Sequence, residues 1–241
     1  MARKPTRKAA AGKSEHRERR ASTAAEATAA KTDREKIVAA FLALLTDKSF
    51  ETIGLADVAG KAGVSLAQLR DEFSSTLAIF AAQMKATDRA VLAEDFAEMA
   101  EEPERERLFD VLMRRLEAMA GERDAIRSLV RSATFDPPLA LALNSIGVRS
   151  MQWMLTAAGV SAAGTGGMMR AQGLALLFAH VLRTFADDDD DNARTMAALD
   201  RELDRGGRAL SMFDGLWRMT SALRRRPHRR PRQDDDETVA A

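Results

Sequence analysis

The chain has 241 residues, of which 46% are apolar, and this is enough to form a core in one large domain or two small ones. It contains no cysteine, which excludes disulfides, thiolate metal ligands and cysteine nucleophiles. The formal net charge of +1 hides an uneven distribution. Residues 1–31 hold nine Lys or Arg and three acids, residues 218–241 hold seven Arg and four acids, and the part between holds 21 basic and 29 acidic residues. An acidic body thus carries two basic tails, which favour anionic partners.

The composition favours helices over strands. Only 5% of the residues are aromatic, and tyrosine is absent. We therefore predict an all-α protein of about nine or ten helices. The segments 1–31 and 218–241 lack periodic apolar residues, so we predict a disordered basic arm and a disordered Arg-rich tail. Because the first segment has no apolar core and no apolar stretch is long enough to cross a bilayer, we expect a cytoplasmic protein.

The folded part begins with two helices. Thr32 or Asp33 can cap the first, and apolar residues then recur on one face at helical spacing: Ile37, Val38, Phe41, Leu44 and Leu45. A second, short helix covers 55–62. It ends at Gly63, because glycine readily adopts the left-handed backbone that such a turn requires.

Two further helices follow this turn. Ser65 is placed to cap a short third helix, 66–73, and a longer fourth helix begins at Ser75 or Thr76. A helix, a short helix, a tight turn and a second short helix form the helix-turn-helix plan, in which the last helix enters the DNA major groove.

The rest of the chain also has helical periodicity. Apolar stripes predict helices around 108–116, around 126–130 and at 139–158, the second of these stopping before Pro137. The run Gly164–Gly167 is interpreted as a flexible loop. Residues 168–185 are apolar nearly all round, which is typical of a helix buried on most faces. After a solvated turn at Asp187–Asp191, a last amphipathic helix covers 195–213.

The run FETIGLADVAGKAGVSLAQLRDEF at 50–73 resembles the N-terminal domain of TetR-family regulators. The likeness is carried by Thr52-Ile53, Asp57-Val58-Ala59, Ala62-Gly63-Val64-Ser65, Leu69 and Phe73, and it is sharp over about residues 34–82. The resemblance implies a helix-turn-helix DNA-binding domain at 32–80 and a ligand-binding and dimerisation domain at 81–217.

This placement gives candidate DNA contacts. Ser65 and the first amides of the third helix are suited to phosphate, as is Thr52 at the start of helix two. The alternative is that Ser65 and Thr52 only cap helices. The outward residues of the third helix are Leu66, Ala67, Gln68 and Arg70, of which Gln68 can bond an adenine edge and Arg70 a guanine edge or a phosphate. Lys61 completes the predicted contact set.

Three positions depart from the family pattern, which usually has Tyr, His and Lys where this chain has Arg70, Glu72 and Thr76. Residues 32–92 contain seven basic and eight acidic residues, so this segment has no basic surface of its own. Asp71 and Glu72 would repel phosphate. The N-terminal arm can restore the missing charge by lying along the minor groove or the backbone.

No cofactor, metal site or enzyme activity is predicted. His16, His180 and His228 lie far apart in sequence, and His180 is interpreted first as a core histidine, with a ligand contact or a dimer interface as alternatives. Asp187–Asp191 lacks the Gly and the distal Glu of a calcium loop. Gly164–Gly167 is not followed by the Lys of a phosphate-binding loop.

The C-terminal half is rich in adaptable apolar side chains that could line a ligand cavity or form ordinary core: Met113, Met119, Met151, Trp153, Met154, Met168 and Met169. Of these, Met113, Met151, Trp153 and Met154, together with His180, are the candidate ligand contacts. The resemblance implies a small apolar effector held in this domain and a homodimer formed by the last two long helices, here 168–186 and 195–214. It further implies an operator-binding repressor in which the effector shifts helix four.

Two other functions stay open at this point. One is an accessory lipid-binding protein with a TetR-like fold, as in ubiquinone biosynthesis, to which Ala193–Leu203 has a faint likeness. Against it, the sequence has no apolar C-terminal helix for stable membrane insertion. The other is nonspecific nucleic-acid binding through the basic tails alone.

Overall fold

The computed structural model describes residues 33–96, 99–189 and 191–224, and the predicted arm 1–31 and the last part of the predicted tail lie outside them. These residues form nine α-helices and no strand, which confirms the all-α prediction. The helices are α1 (33–47), α2 (Leu55–Ala62), α3 (Leu66–Glu72), α4 (Thr76–Leu92), α5 (Glu104–Ala118), α6 (Arg123–Phe135), α7 (Pro137–Ala157), α8 (Gly164–Ala186) and α9 (Ala193–Arg224).

The first three helices close around one apolar cluster. Ile37 and Phe41 of α1 and Val58 of α2 are completely buried, and Leu69 of α3 is 2% exposed. The Phe41 ring also meets Phe50 edge-on, with 6.1 Å between the ring centroids. Burial of a side chain of this kind contributes about 1.5–3 kcal/mol, so this shared core fixes α3 against α1 and α2.

The turn between α2 and α3 depends on Gly63. This residue ends α2 with φ +68°, a left-handed conformation in which a Cβ atom would be strained. The backbone amide of Val64 then donates to the Ala59 carbonyl over 3.1 Å, which satisfies a terminal carbonyl of α2. The predicted bounds of α2, 55–62, are confirmed, and α3 begins at Leu66 as predicted but ends at Glu72, one residue before the predicted end.

Helices α4–α9 form the larger body, in which α8 packs against α6, α7 and α9, and α4 packs against α5 and α7. Two hydrogen bonds tie the segment just after α1 to α6. The Phe50 amide donates to Ser132 Oγ over 3.1 Å, and the Ser128 hydroxyl donates to the Lys48 carbonyl over 2.9 Å. The three-helix unit is therefore attached to the body both through α4 and directly through α6.

The prediction of a loop at Gly164–Gly167 was wrong, because these residues form the first turn of α8. A Cβ atom on Gly167 would lie 2.2 Å from the Ala162 carbonyl oxygen, so only glycine allows the chain to pack this closely. Pro137 occupies the first turn of α7, where its missing N–H costs nothing, and Asp136 caps that helix.

Two predictions about the last helices were also wrong. Helix α8 is not buried on most faces, since Met169 is 62% exposed and Leu176 is 59% exposed. Helix α9 continues to Arg224 instead of ending near Phe213, so the first part of the predicted tail 218–241 is helical. Among the described residues, no helix is both long enough and apolar enough to cross a membrane.

Candidate nucleic-acid interface and ligand cavity

The outer face of α3 is the candidate nucleic-acid interface. Ser65, Leu66, Ala67, Gln68 and Arg70 are all exposed there, and Leu66 is 57% exposed. Leu69 and Phe73, on the opposite face, are buried in the shared core. Lys61 is exposed near the end of α2, close in sequence to the turn that leads into α3. The burial of Leu69 and Phe73 thus directs the predicted contact residues of α3 outward.

Ser65 and Gln68 form a capping box at the start of α3. The Ser65 side chain accepts from the Gln68 amide over 3.2 Å, and the Gln68 side-chain oxygen accepts from the Ser65 amide over 2.9 Å. The Ser65 hydroxyl donates to the same Gln68 oxygen over 2.8 Å. Gln68 Nε2 also donates to Asp33 over 3.3 Å. The Gln68 amide is therefore engaged within the protein, and it must leave these partners before it can bond an adenine edge.

Thr52 ends the short 3-10 turn before α2 and is exposed. Its hydroxyl donates to the Ser49 carbonyl over 2.8 Å, which leaves its oxygen lone pairs and not its proton free for a further partner. A phosphate would have to displace this bond.

Arg34 is a residue of this interface that sequence reasoning missed. Its guanidinium, in α1, lies 3.0 Å from the Glu72 carboxylate and 4.3 Å from the centroid of the Phe73 ring. Glu72, which was expected to repel phosphate, is therefore paired with a cation. No local signal could have shown this, because the two residues are 38 positions apart and meet only through the packing of α1 on α3.

A mostly apolar cavity of about 320 Å³ lies inside the larger body. Its size is at the lower end of the roughly 300–1,000 Å³ range of small-molecule pockets. Leu42 and Leu45 of α1 and Phe80 and Met84 of α4 contribute to its wall. Further apolar side chains come from the other helices of the body: Met119, Ile126, Leu129, Leu143, Ile146, Met151 and Phe178. The cavity therefore touches the first helix of the helix-turn-helix unit as well as α4.

A buried ion pair lies beside this cavity, and its arginine belongs to the cavity wall. Arg115 of α5, 2% exposed, is bonded through Nη1 to the carboxylate of Asp88 on α4, which also accepts from the Ser150 hydroxyl over 2.6 Å. Arg115 Nη2 lies 3.6 Å from Met84 Sδ, and the guanidinium carbon is 5.6 Å from the Phe178 ring centroid. Burial lowers the pKa of the Arg115 guanidinium, and the negative charge of Asp88 offsets only part of this effect. An arginine remains charged even so.

Glu122, just before α6, also lines the cavity. Burial raises the pKa of its carboxyl group, and the hydrogen bond from Gln83 Nε2 and the charge of Arg115 offset part of that effect. Sequence reasoning missed Arg115 and Glu122. The available signal was Arg115 itself, a charged residue within the buried stripe that runs from Val111 to Leu116.

The structure places only one of the five predicted ligand contacts in this cavity, namely Met151. Met113 and Met154 are buried core residues and do not line it. Trp153 is 57% exposed and borders a separate, open depression beside Lys85 and Leu92. The interpretation of His180 as a core residue was wrong, since its side chain is 59% exposed and lies 3.9 Å from Glu202. Met119, predicted as a cavity or core residue, lines the cavity.

No protein-family model matches the sequence, and no curated protein matches it either. Solved structures do. A TetR transcriptional regulator from Rhodococcus sp. RHA1 is 19% identical, with 73% of this chain and 96% of that chain covered and a TM-score of 0.52. The TetR transcriptional regulator from Nitrosomonas europaea is 21% identical, with 72% and 97% covered and a TM-score of 0.53. The chain therefore has the fold of TetR-type transcriptional regulators.

Proposed function

We propose that this protein is a DNA-binding transcriptional regulator of TetR type, which represses by binding its operator as a homodimer and is released by a small apolar effector. The observation that carries the proposal is the exposed face of α3, held outward by buried Leu69 and Phe73 on a helix-turn-helix of the fold seen in two TetR regulators. In this proposal Ser65, Thr52 and Lys61 contact phosphates, while Leu66, Ala67 and Arg70 face base edges.

The homodimer is supported by the exposed side of α8 and α9. Met169 and Leu176 of α8 and Met196 of α9 are exposed apolar residues, 62%, 59% and 46% accessible. A second copy packed on this face would bury them, as expected of an isologous interface. The two copies of α3 would then enter successive major grooves, roughly 34–36 Å apart.

Regulation by an effector is supported by the position of the cavity. Its wall includes Leu42 and Leu45 of α1 and Phe80 and Met84 of α4, the helices that carry and connect the DNA-binding unit. A molecule in the cavity that binds one arrangement of α1 and α4 more tightly than another shifts the population towards that arrangement. Release of DNA requires that, in the favoured arrangement, the distance between the two α3 helices no longer matches the distance between the operator grooves.

The experiment is binding of the full chain to the DNA upstream of its own gene and to a scrambled duplex, at physiological salt. We expect tighter binding to the upstream DNA, and Arg70→Ala should lose about 1–3 kcal/mol of that preference. Lys61→Ala should weaken binding to both duplexes alike, because a phosphate contact carries no sequence information. Arg131→Ala, an exposed arginine on α6, is the matched control for loss of charge. Equal affinity for the two duplexes would contradict the proposal.

A second candidate function is supported by one further observation. The cavity is mostly apolar, while residues 32–92 carry one more acid than base, as expected of a lipid-binding protein that kept this fold and lost DNA binding. That candidate predicts weak, salt-sensitive, sequence-independent DNA binding, which deletion of residues 1–31 abolishes. A preference for upstream DNA that survives this deletion would eliminate it.

A further inference from the structure

We infer that the cavity takes a neutral, largely apolar molecule with a hydrogen-bond-accepting oxygen, such as a ketone, ester or lactone, and that this oxygen binds at Arg115. The inference rests on the proposed function, since it names the chemical class of the effector. It is carried by the unsatisfied donor of Arg115 and by the charge balance around that residue.

The polar side chains of the wall, Arg115 apart, are largely occupied by internal partners. The Thr134 hydroxyl donates to the Val130 carbonyl over 2.8 Å, and the Ser150 hydroxyl donates to Asp88 over 2.6 Å. Asn144 exchanges two hydrogen bonds with Gln172, over 3.2 and 3.0 Å. A ligand that bonded these groups would have to break existing bonds and would gain little.

Arg115 is different. Within the part of the chain that the structure describes, its Nε is the one buried side-chain nitrogen or oxygen without a hydrogen-bond partner. Buried donors in folded proteins are almost always satisfied, and an exception calls for a physical reason. Arg115 lines the cavity, and its Nε is closed to water-sized molecules while the cavity is empty. An acceptor oxygen of an occupant therefore reaches Nε only when the neighbouring side chains shift to admit the ligand.

The charges around Arg115 favour a neutral acceptor over a carboxylate. Asp88 already neutralises the guanidinium, and the Glu122 carboxyl group lies in the same wall. A carboxylate ligand would add a second or third negative charge to one buried cation, and an uncompensated buried charge is strongly unfavourable. Arg183 also lines the cavity, but it is exposed, so water screens its charge.

The test measures ligand binding directly, by calorimetry on the full-length protein without DNA, so that it is independent of operator binding. Three probes of equal chain length are compared: methyl nonyl ketone, undecanoic acid and undecane. We expect the ketone to bind about ten-fold more tightly than undecane, the ratio that one hydrogen bond to a charged donor supplies. The acid should bind more weakly than the ketone.

Arg115→Lys keeps a cation for Asp88 but removes the Nε donor. We expect it to weaken ketone binding about ten-fold and to leave undecane binding unchanged, a difference that a merely structural effect would not produce. Ala133→Phe, which fills the cavity from α6, should abolish binding of all three probes, while Ala118→Phe on the exposed end of α5 should not. If Arg115→Lys does not fold, Ala133→Phe and the three-probe ranking still decide the matter.

Each other result overturns the inference. Tightest binding of the acid would assign an anionic ligand, equal binding of the ketone and undecane would remove the role of Arg115, and no binding of any probe would leave the cavity without this class of occupant. Any of these three outcomes, found for a protein that still prefers its upstream DNA, would refute the ligand class and leave the proposed function standing. The proposed function fails only if the DNA preference itself is absent.

Discussion

The Ser65 hydroxyl donates to the Gln68 side-chain oxygen over 2.8 Å and accepts from the Gln68 backbone amide over 3.2 Å, so the two residues cap α3 jointly. The same two side chains are candidate DNA contacts. Their substitution therefore affects the stability of the helix as well as any contact to DNA, and the two effects must be measured separately.

Ser65→Ala should lower the free energy of unfolding by about 1 kcal/mol, because it leaves N-terminal amides of α3 without an acceptor. Ser65→Asp retains a side-chain acceptor and should cost much less. Urea unfolding followed by circular dichroism measures both. Gln68→Ala should show a coupling of at least about 0.5 kcal/mol with Ser65→Ala in a double-mutant cycle. Strict additivity would contradict the capping box.

Arg34→Ala should weaken DNA binding although Arg34 does not lie on α3. The substitution removes the cation 3.0 Å from Glu72 and leaves that carboxylate uncompensated at the end of α3, where it repels phosphate. The pair is partly exposed, so the loss of stability itself should stay within about 1 kcal/mol. Affinity for the upstream duplex is measured for Arg34→Ala and for Arg34→Ala/Glu72→Gln. The double variant should recover most of the affinity, and failure to recover would mean that Arg34 acts through its own contact.

Arg115→Met should destabilise the fold by about 3–5 kcal/mol, because it leaves Asp88 buried without its cation. The double variant Arg115→Met/Asp88→Leu should recover most of this loss, since an apolar pair of similar volume replaces the ion pair. Equilibrium urea unfolding gives both values. The neighbouring Arg114→Met, which breaks a partly exposed pair with Glu94, is the control and should cost less than about 1 kcal/mol. A double variant as unstable as Arg115→Met would contradict this account.

Met169→Asp combined with Leu176→Asp should convert a dimer to a monomer. Both side chains are exposed on α8, and in the proposed dimer the two carboxylates would be buried without partners. Light scattering coupled to size-exclusion chromatography reads the mass. Leu141→Asp, at a residue 68% exposed on α7, is the control and should leave the mass unchanged. A wild-type chain that is monomeric at micromolar concentration would refute the dimer.

Asp188 should contribute stability that is lost in acid. Desolvation alone would raise the pKa of its carboxyl group, but the bonds from the Thr195 side chain and amide and from Arg194 lower the pKa to about 2. A carboxyl group with a lower pKa in the folded state stabilises the fold above its unfolded pKa, near 3.8, and this contribution disappears as the pH falls towards about 2.

Asp188→Asn should therefore destabilise the protein by roughly 1–2 kcal/mol at pH above about 5, and the difference from the wild type should shrink as the pH is lowered below about 4. Unfolding free energies over this range measure it. Asp189→Asn changes an exposed neighbour and should have little effect. A difference that stays constant with pH would contradict the assignment.

The sequence by itself determined the helices and the turn of the N-terminal unit. Ser65, Gly63 and the apolar spacing of α1 act through neighbours a few residues away, and such local effects are readable in a sequence. The outward position of Ala67 is equally readable, because it lies two residues before the apolar Leu69 and so on the other side of the helix. Leu66 lies three residues before Leu69, a spacing that places both near one face, so its 57% exposure is a result of the packing.

The tertiary structure alone decided which distant residues meet. Arg34 neutralises Glu72, and Arg115 pairs with Asp88, across 38 and 27 positions. Met113, Met151 and Met154 are chemically alike, yet only Met151 lines the cavity, because the side of a helix that faces a cavity depends on how neighbouring helices are rotated. His180 lies on a nearly all-apolar helix but faces outward for the same reason. Composition and periodicity show that a helix has a buried face. The packing of α7 and α8 on their neighbours determines which residues belong to that face.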